Sequence, residues 1–378
     1  MEKKIWLSLA KMSGEEQKYI QEAFDTNWVV PLGPNVNEFE KSLSEYLGKE
    51  KHVVALVSGT SAIHLALIQL GITVGDEVLC QSFTFAGSAN PVKYVGAIPV
   101  FVDSEPDTWN MSPFFLEKAI EDRIEITGKK PKAILPVHLY GMPAKMKEIS
   151  EIASRYDIPV IEDAAEALGS VYKNQKCGTF GEFACLSFNG NKIITTSGGG
   201  ALVCNTKDQS KRTMFYATQA RDEAPHYQHS EIGYNYRLSN ICAGIGRGQL
   251  TVLDSFVKRR REINSYYFEK LSSIKGISIL QNPSEDFKSN HWLTCIVINP
   301  EITGFTREEL RLKMDDVNIE TRPLWKPMHL QPVFESSPFY GDGTAENLFN
   351  YGLCLPSSPV LDQTDLDRVV NVILDFMK

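Results

Sequence analysis

Short apolar runs alternate with longer amphipathic stretches over the first two-thirds of the chain. Residues 53–57 form an apolar run that predicts a strand, and 60–70 carry a helical pattern behind it. The couple recurs at 77–80 with 87–95 and at 98–102 with 113–124, where Pro113 falls in the first helical turn. It recurs again at 133–137 with 146–156, before a strand over 159–161. Such β-then-α alternation with short connections predicts a largely parallel sheet covered by helices on both faces. A helix over 13–23 and a loop containing Asn27-Trp28-Val29-Val30-Pro31 precede it.

Past residue 180 the rhythm changes. Strands over 184–188 and 200–204 flank a glycine-rich turn, and a long helical stretch follows over 238–272. Gly276-Ile277-Ser278-Ile279 then opens a region with a strand over 292–298 and a helix over 307–314. The expected architecture is therefore α/β: a large domain over 1–250, then a smaller α+β domain over 251–378 joined by the long helix. No internal repeat or low-complexity segment is visible.

Composition narrows the function. Of 378 residues, 43% are hydrophobic and 23% charged, which suits a globular chain with a sizeable core. Lys and Arg number 39 against 47 Asp and Glu, a formal charge of −8. That balance argues against a nucleic-acid or anionic-membrane partner. The run Lys258-Arg259-Arg260-Arg261 lies in a helical pattern and reads as a solvated face. Residues 52–75 hold no Asp, Glu, Lys or Arg and are long enough to span a bilayer, but Ser58-Gly59-Thr60-Ser61 interrupts them. A strand, a turn and a helix fit better, and with no leader pattern the expected location is the cytoplasm. Seven cysteines at irregular spacing, with no CxxC, read as reduced core thiols. His226 and His229 have a metal-like spacing in a loop without cysteine neighbours, and no metal is expected.

Four features fall at predicted strand ends, where ligands bind in open α/β sheets. Ser58-Gly59-Thr60-Ser61 could cradle a phosphate at a helix N-terminus, or Thr60 or Ser61 could simply cap that helix. Glu162-Asp163-Ala164-Ala165-Glu166 ends an apolar strand in carboxylates, one of which could hold a cationic ring nitrogen or a metal, or an Asp could simply cap the next helix. Lys192 follows the strand ending Leu186-Ser187-Phe188, where desolvation would make its amine a nucleophile able to form Schiff bases. Gly233-Tyr234-Asn235-Tyr236-Arg237 is a polar, aromatic loop ahead of a helix that could meet an anion. A phosphate cradle, a ring-nitrogen carboxylate and a Schiff-base lysine in this order are what pyridoxal 5′-phosphate needs.

With these residues in register, the chain resembles the fold-type-I sugar aminotransferases of the DegT/DnrJ/EryC1/StrS family over nearly its whole length. Pro31-Leu32-Gly33-Pro34, Phe83-Thr84-Phe85 and residues 322–334 carry further parts of the likeness. Residues 322–334, with Asp107-Thr108-Trp109-Asn110-Met111, resemble the branch that aminates C4 of UDP-4-keto-6-deoxy-N-acetylglucosamine on the way to bacillosamine-type sugars. The resemblance implies that Lys192 carries the cofactor and shuttles the proton, while Asp163 holds the pyridinium nitrogen. It implies that Glu166 lies near the ring hydroxyl, where relatives have Gln, His or Glu, and that Phe85 stacks on the ring. Gly59, Thr60, Ser61 and Ser187 would hold the phosphate. Asn235 would reach the phosphate of a second subunit, which makes the expected unit a homodimer with a shared site. Arg237 would meet an anionic substrate group, with Trp325, Lys326 and His329 on the sugar. L-Glutamate would be the donor, a UDP-linked keto sugar the acceptor, and pyridoxamine 5′-phosphate the form between the half-reactions. Some relatives are dehydratases with His at the lysine position, which Lys192 argues against. A different 3- or 4-keto nucleotide sugar, or a non-catalytic regulator of this fold, are the rival readings.

Overall fold

The computed structural model describes residues 3–377. Helices α1 (Glu16–Asp25) and α2 (Pro34–Leu47) lead into an alternating series. It runs β1 (His52–Leu56), α3 (Gly59–Gln69), β2 (Glu77–Gln81), α4 (Ala86–Tyr94), β3 (Ile98–Val102), α5 (Pro113–Thr127), β4 (Ala133–Leu135), α6 (Met146–Tyr156) and β5 (Ile161–Asp163). The hairpin β6 (Val171–Tyr172) and β7 (Gln175–Lys176) precedes β8 (Phe183–Ser187), β9 (Gly200–Cys204), α7 (Lys207–Ala217), α8 (Asn240–Leu250) and α9 (Leu253–Leu271). The remainder holds β10 (Ile277–Ile279), β11 (Phe287–Lys288), β12 (Thr294–Ile298), α10 (Pro300–Thr303), α11 (Arg307–Asp316), β13 (Arg322–Pro323), β14 (Phe339–Tyr340), α12 (Thr344–Tyr351), β15 (Gly352–Leu355) and α13 (Gln363–Phe376).

The large sheet has two halves, β1-β9-β8-β5 and β4-β2-β3-β14. Parallel bridges Ile134–Val160 and Val137–Asp163 join β4 to β5. Its ladders are parallel except at β9, which runs against both β1 and β8. Every residue of β2 and β9 is buried, the mark of strands covered on both faces. The expected α/β fold with a mostly parallel, helix-covered sheet is thus present. A second, antiparallel sheet, β10-β12-β15-β13, packs with α9, α11 and α13 around Ile263, Tyr267, Ile296, Leu353 and Val369. Ile5 enters that core and pairs with Ile319, while β14 pairs with β3 in the large sheet.

Two expectations change. The helical stretch over 238–272 is two helices. The Thr251 hydroxyl donates to the Gly248 carbonyl, and Val252 leaves helical geometry at φ −115°, ψ 6°. The basic run is no solvated face. Arg260 is fully buried, with Nη1 donating to the carbonyls of Trp292 and Ser357, and Arg261 donates to the carbonyl of Ser289. Helices α2, α7 and α13 are additional to the predicted elements. They start at Pro34 and at capping boxes closed by Thr206 with Gln209 and Asp362 with Asp365. The cysteines are free thiols, buried except for half-buried Cys242. Among the described residues no helix is long and apolar enough to cross a membrane.

Candidate active site

A cavity of about 610 Å³ opens at the carboxyl ends of β1, β5 and β8. Gly59, Thr60, Phe85, Asp163, Glu166, Ser187, Lys192 and Trp325 line it, so eight of the residues singled out from sequence meet in one place.

The wall at α3 begins with Ser58. Its Oγ accepts from Ser61 N–H at 3.0 Å, and Ser61 Oγ donates to the Ser58 carbonyl at 2.7 Å. The cap is therefore Ser58, not Thr60 or Ser61, and the Ser61 hydroxyl is spent inside the capping box instead of on the cavity. Gly59 and Thr60 occupy the first helical turn, whose N–H groups have no carbonyl partner within the helix and attract an anion. Close packing holds this turn: a Cβ on Gly200 would sit 2.3 Å from the Ser58 carbonyl carbon.

Asp163 ends β5 and is 5% exposed. Ser88 Oγ donates to its Oδ2 at 2.7 Å, Thr84 Oγ1 lies 2.7 Å from Ser88 Oγ, and Ala165 N–H donates to Oδ1 at 3.1 Å. Among the described residues no ammonium or guanidinium lies within ion-pair distance of Asp163. A buried carboxylate left in that state fits a cationic group of a ligand. Ser88 and Thr84 are functional candidates that sequence reasoning missed; the Thr84-Phe85 turn after β2 was their only signal.

Lys192 sits in the turn between β8 and β9. Its Nζ lies 3.2 Å from Glu166 Oε1 and 4.1 Å from the centroid of the Trp292 ring. Glu166 Oε2 accepts from Tyr140 N–H at 2.7 Å. Burial pushes the Glu166 carboxyl above its ordinary range, against the pull of the Lys192 charge. Phe85 is exposed at the N-terminus of α4 with its ring 5.4 Å from that of Trp325, while Phe83 is the buried core residue. Glu162, beside Asp163, is structural. It accepts from His138 Nε2 at 2.6 Å and from Phe180 N–H at 2.8 Å, which ties the 178–181 loop to β5.

Five candidates stand outside the cavity lining: Ser61, Asn235, Arg237, Lys326 and His329. Arg237 is buried, and its Nη1 donates to Glu40 Oε1 at 2.6 Å and to the Ala55 carbonyl at 2.9 Å. These two bonds tie α2 to β1 and commit Nη1 of Arg237 to a structural pair. His329 Nδ1 lies 2.7 Å from Ser82 Oγ and Nε2 lies 3.1 Å from Glu346 Oε1, with the ring stacked 3.7 Å from Phe339. Both ring nitrogens are thus engaged by protein partners. Lys326 and Asn235 are exposed. Arg322 lines the cavity instead, and with Lys192 it supplies the cations of the described lining. His226 and His229 are exposed, and His229 Nδ1 lies 2.8 Å from the Gln219 carbonyl.

Comparison with known proteins shows the family. The model of the DegT/DnrJ/EryC1/StrS aminotransferase family matches residues 10–374. The chain is 50% identical over 378 residues to EpsN of Bacillus subtilis (strain 168), whose name describes a pyridoxal phosphate-dependent aminotransferase; the match covers 99% of this chain and 96% of EpsN. It is 39% identical to a GDP-perosamine synthase of Escherichia coli O157:H7, over 97% and 96% of the two chains. The crystal structure of a DegT DnrJ EryC1 StrS aminotransferase from Brucella abortus superposes with a TM-score of 0.89 at 32% identity, over 96% and 95% of the chains. Fold and cavity together define a pyridoxal phosphate-dependent sugar aminotransferase. The chain belongs to the DegT/DnrJ/EryC1/StrS aminotransferase family.

Proposed function

We propose that this enzyme moves the amino group of L-glutamate to C4 of UDP-4-keto-6-deoxy-N-acetylglucosamine, giving UDP-4-amino-4,6-dideoxy-N-acetylglucosamine and 2-oxoglutarate. One observation carries the reading: Lys192 and the cation-free carboxylate of Asp163 face the same cavity as the first turn of α3. When bound, pyridoxal phosphate supplies an aldehyde that takes up an amine and a ring that withdraws electrons. Gly59, Thr60 and Ser187 would hold its phosphate, Asp163 its ring nitrogen and Phe85 its face. Glu166 would lie on the side of the ring hydroxyl. Ser88, backed by Thr84, keeps Asp163 oriented. Lys192 Nζ would carry a proton between the substrate carbon and the cofactor in each half-reaction, with Glu166 as the carboxyl group that faces its ammonium. Arg322, a lining cation whose Nε and Nη2 donate to Glu320 Oε1 at 3.1 and 2.8 Å, would have to share or leave that carboxylate to meet an anionic substrate group. We place Asn235 at the phosphate of a second subunit, so that two copies complete each other's site, and the chain in the cytoplasm. The spans 1–250 and 251–378 remain our division into domains.

A GDP-linked sugar is the second reading, favoured by the relative named GDP-perosamine synthase. The test is to convert the enzyme to its amine-loaded form with L-glutamate, remove the donor, and offer the UDP-linked and a GDP-linked 4-keto sugar separately. Mass spectrometry of the sugar product decides. Faster single-turnover amination of the UDP sugar is expected; preference for the GDP sugar would overturn the acceptor assignment and keep the chemistry.

A further inference from the structure

The turn that carries Lys192 is pinned from outside the large sheet. The carbonyl of Asn191, one residue before the lysine, accepts from Trp292 Nε1 at 2.6 Å and from Ser8 Oγ at 2.8 Å. These two donors lie 284 residues apart in sequence and converge on one oxygen. The Trp292 ring also lies 4.1 Å from Lys192 Nζ, so one side chain holds the backbone before the lysine and offers its π face to the ammonium.

Trp292 is itself fixed. It is 3% exposed, its N–H donates to Asn290 Oδ1 at 2.8 Å, and its ring stacks on Tyr140 at 6.4 Å and 20°. Buried Arg260 closes the circuit by donating to the Trp292 carbonyl and to Ser8 Oγ. Its guanidinium meets carbonyls and a hydroxyl, and burial pushes it down to about 9. A buried cation without a carboxylate is expensive to keep, and here it braces both donors that hold the Asn191 carbonyl.

An aminotransferase lysine is tied to the cofactor in one part of the cycle and free in the other, so its free form needs a defined resting place. We propose that Trp292, braced by Arg260 and seconded by Ser8, is a positioning residue that fixes the Lys192 turn and rests the free Lys192 ammonium between its ring and Glu166. The proposal depends on Lys192 being the residue that carries the cofactor.

The test uses the cofactor-free full chain and the variants Trp292→Phe, which keeps a ring without the N–H, Trp292→Leu, which removes both, and Ser8→Ala. Lys192 acylation by acetic anhydride is followed by peptide mass spectrometry against the other lysines. The rate at which added pyridoxal phosphate develops its visible band is measured in parallel, with melting temperature as the control for folding. Losing the ring face and one hydrogen bond should make Lys192 acylation about tenfold faster and band development about tenfold slower in Trp292→Leu. Trp292→Phe and Ser8→Ala should each shift both rates by about threefold, and they serve if Trp292→Leu does not fold. Lys192 acylation and band development unchanged in the folded variants, with only the melting temperature lowered, would overturn the proposal. A band that persists in Lys192→Ala would instead overturn the assignment of the lysine, a distinguishable failure.

Discussion

Glu166 is the residue whose environment makes the sharpest prediction. Burial raises its carboxyl above the ordinary value of 4.5, and the Lys192 charge only partly opposes that rise. A raised folded-state value means that the native chain binds the proton more tightly than the unfolded chain. Stability is therefore lost as pH rises from about 4.5 through the raised value. Glu166→Gln has no such proton to lose. Its stability relative to wild type should climb across that window and then level off, as read from urea midpoints at a series of pH values. A difference independent of pH would show that the carboxyl is not held up by burial. At this scale the placement of candidates in one cavity was legible where a residue type at a strand end has few alternatives, as for Asp163 and Lys192. It was illegible where a side chain had competing partners. Arg237 and His329 read as substrate contacts because neither Glu40 nor Ser82 and Glu346 is near them in sequence. Trp292 carried no local signal, since its contact with Lys192 joins positions 100 residues apart.

The strands were readable as elements because burial on both faces makes them continuous apolar runs; β3 and β9 coincide with the runs that predict them. Helices α2 and α7 were less so, because their polar stretches follow start signals that only a search for caps would find: Gly33-Pro34 and Thr206-x-x-Gln209. The two-residue strand β14 has no pattern of its own and exists through pairing with β3. Two substitutions test how elements hold the site. Arg237→Ala strands Glu40, itself held above the carboxylate range by burial, without its cation. The cost should be about 3–5 kcal/mol in denaturant unfolding. A wild-type midpoint combined with a raised KM for the sugar would return Arg237 to substrate binding. Gly200→Ala forces a Cβ against the backbone of Ser58 and Gly59. It should lower stability by about 1–3 kcal/mol and weaken cofactor retention in equilibrium dialysis, since the first turn of α3 must move. Unchanged retention would show that this turn does not hold the phosphate.

For the whole molecule, the order of strands in the large sheet could not be read along the chain, because it is set by which edges pair. The N-terminal Ile5 in the second core and β14 in the large sheet show the same limit. Asn235 is exposed and outside its own cavity, which suits a residue that serves a second copy. Lys192→Ala and Asn235→Ala should each be strongly impaired alone. Under the proposed homodimer, mixing them with subunit exchange should give heterodimers in which one of two sites has both residues. Random pairing should then restore about a quarter of the wild-type rate. A mixture no more active than the better single variant would place Lys192 and Asn235 outside a shared site.

The visible spectrum of the purified chain with pyridoxal phosphate, recorded before and after L-glutamate, tests the joint role of Lys192 and Asp163 most directly. A yellow band that is lost with L-glutamate and regained with the keto sugar is expected, together with no such band in Lys192→Ala. A band indifferent to L-glutamate and unchanged in Lys192→Ala would contradict the assignment of this cavity as the site of amino transfer.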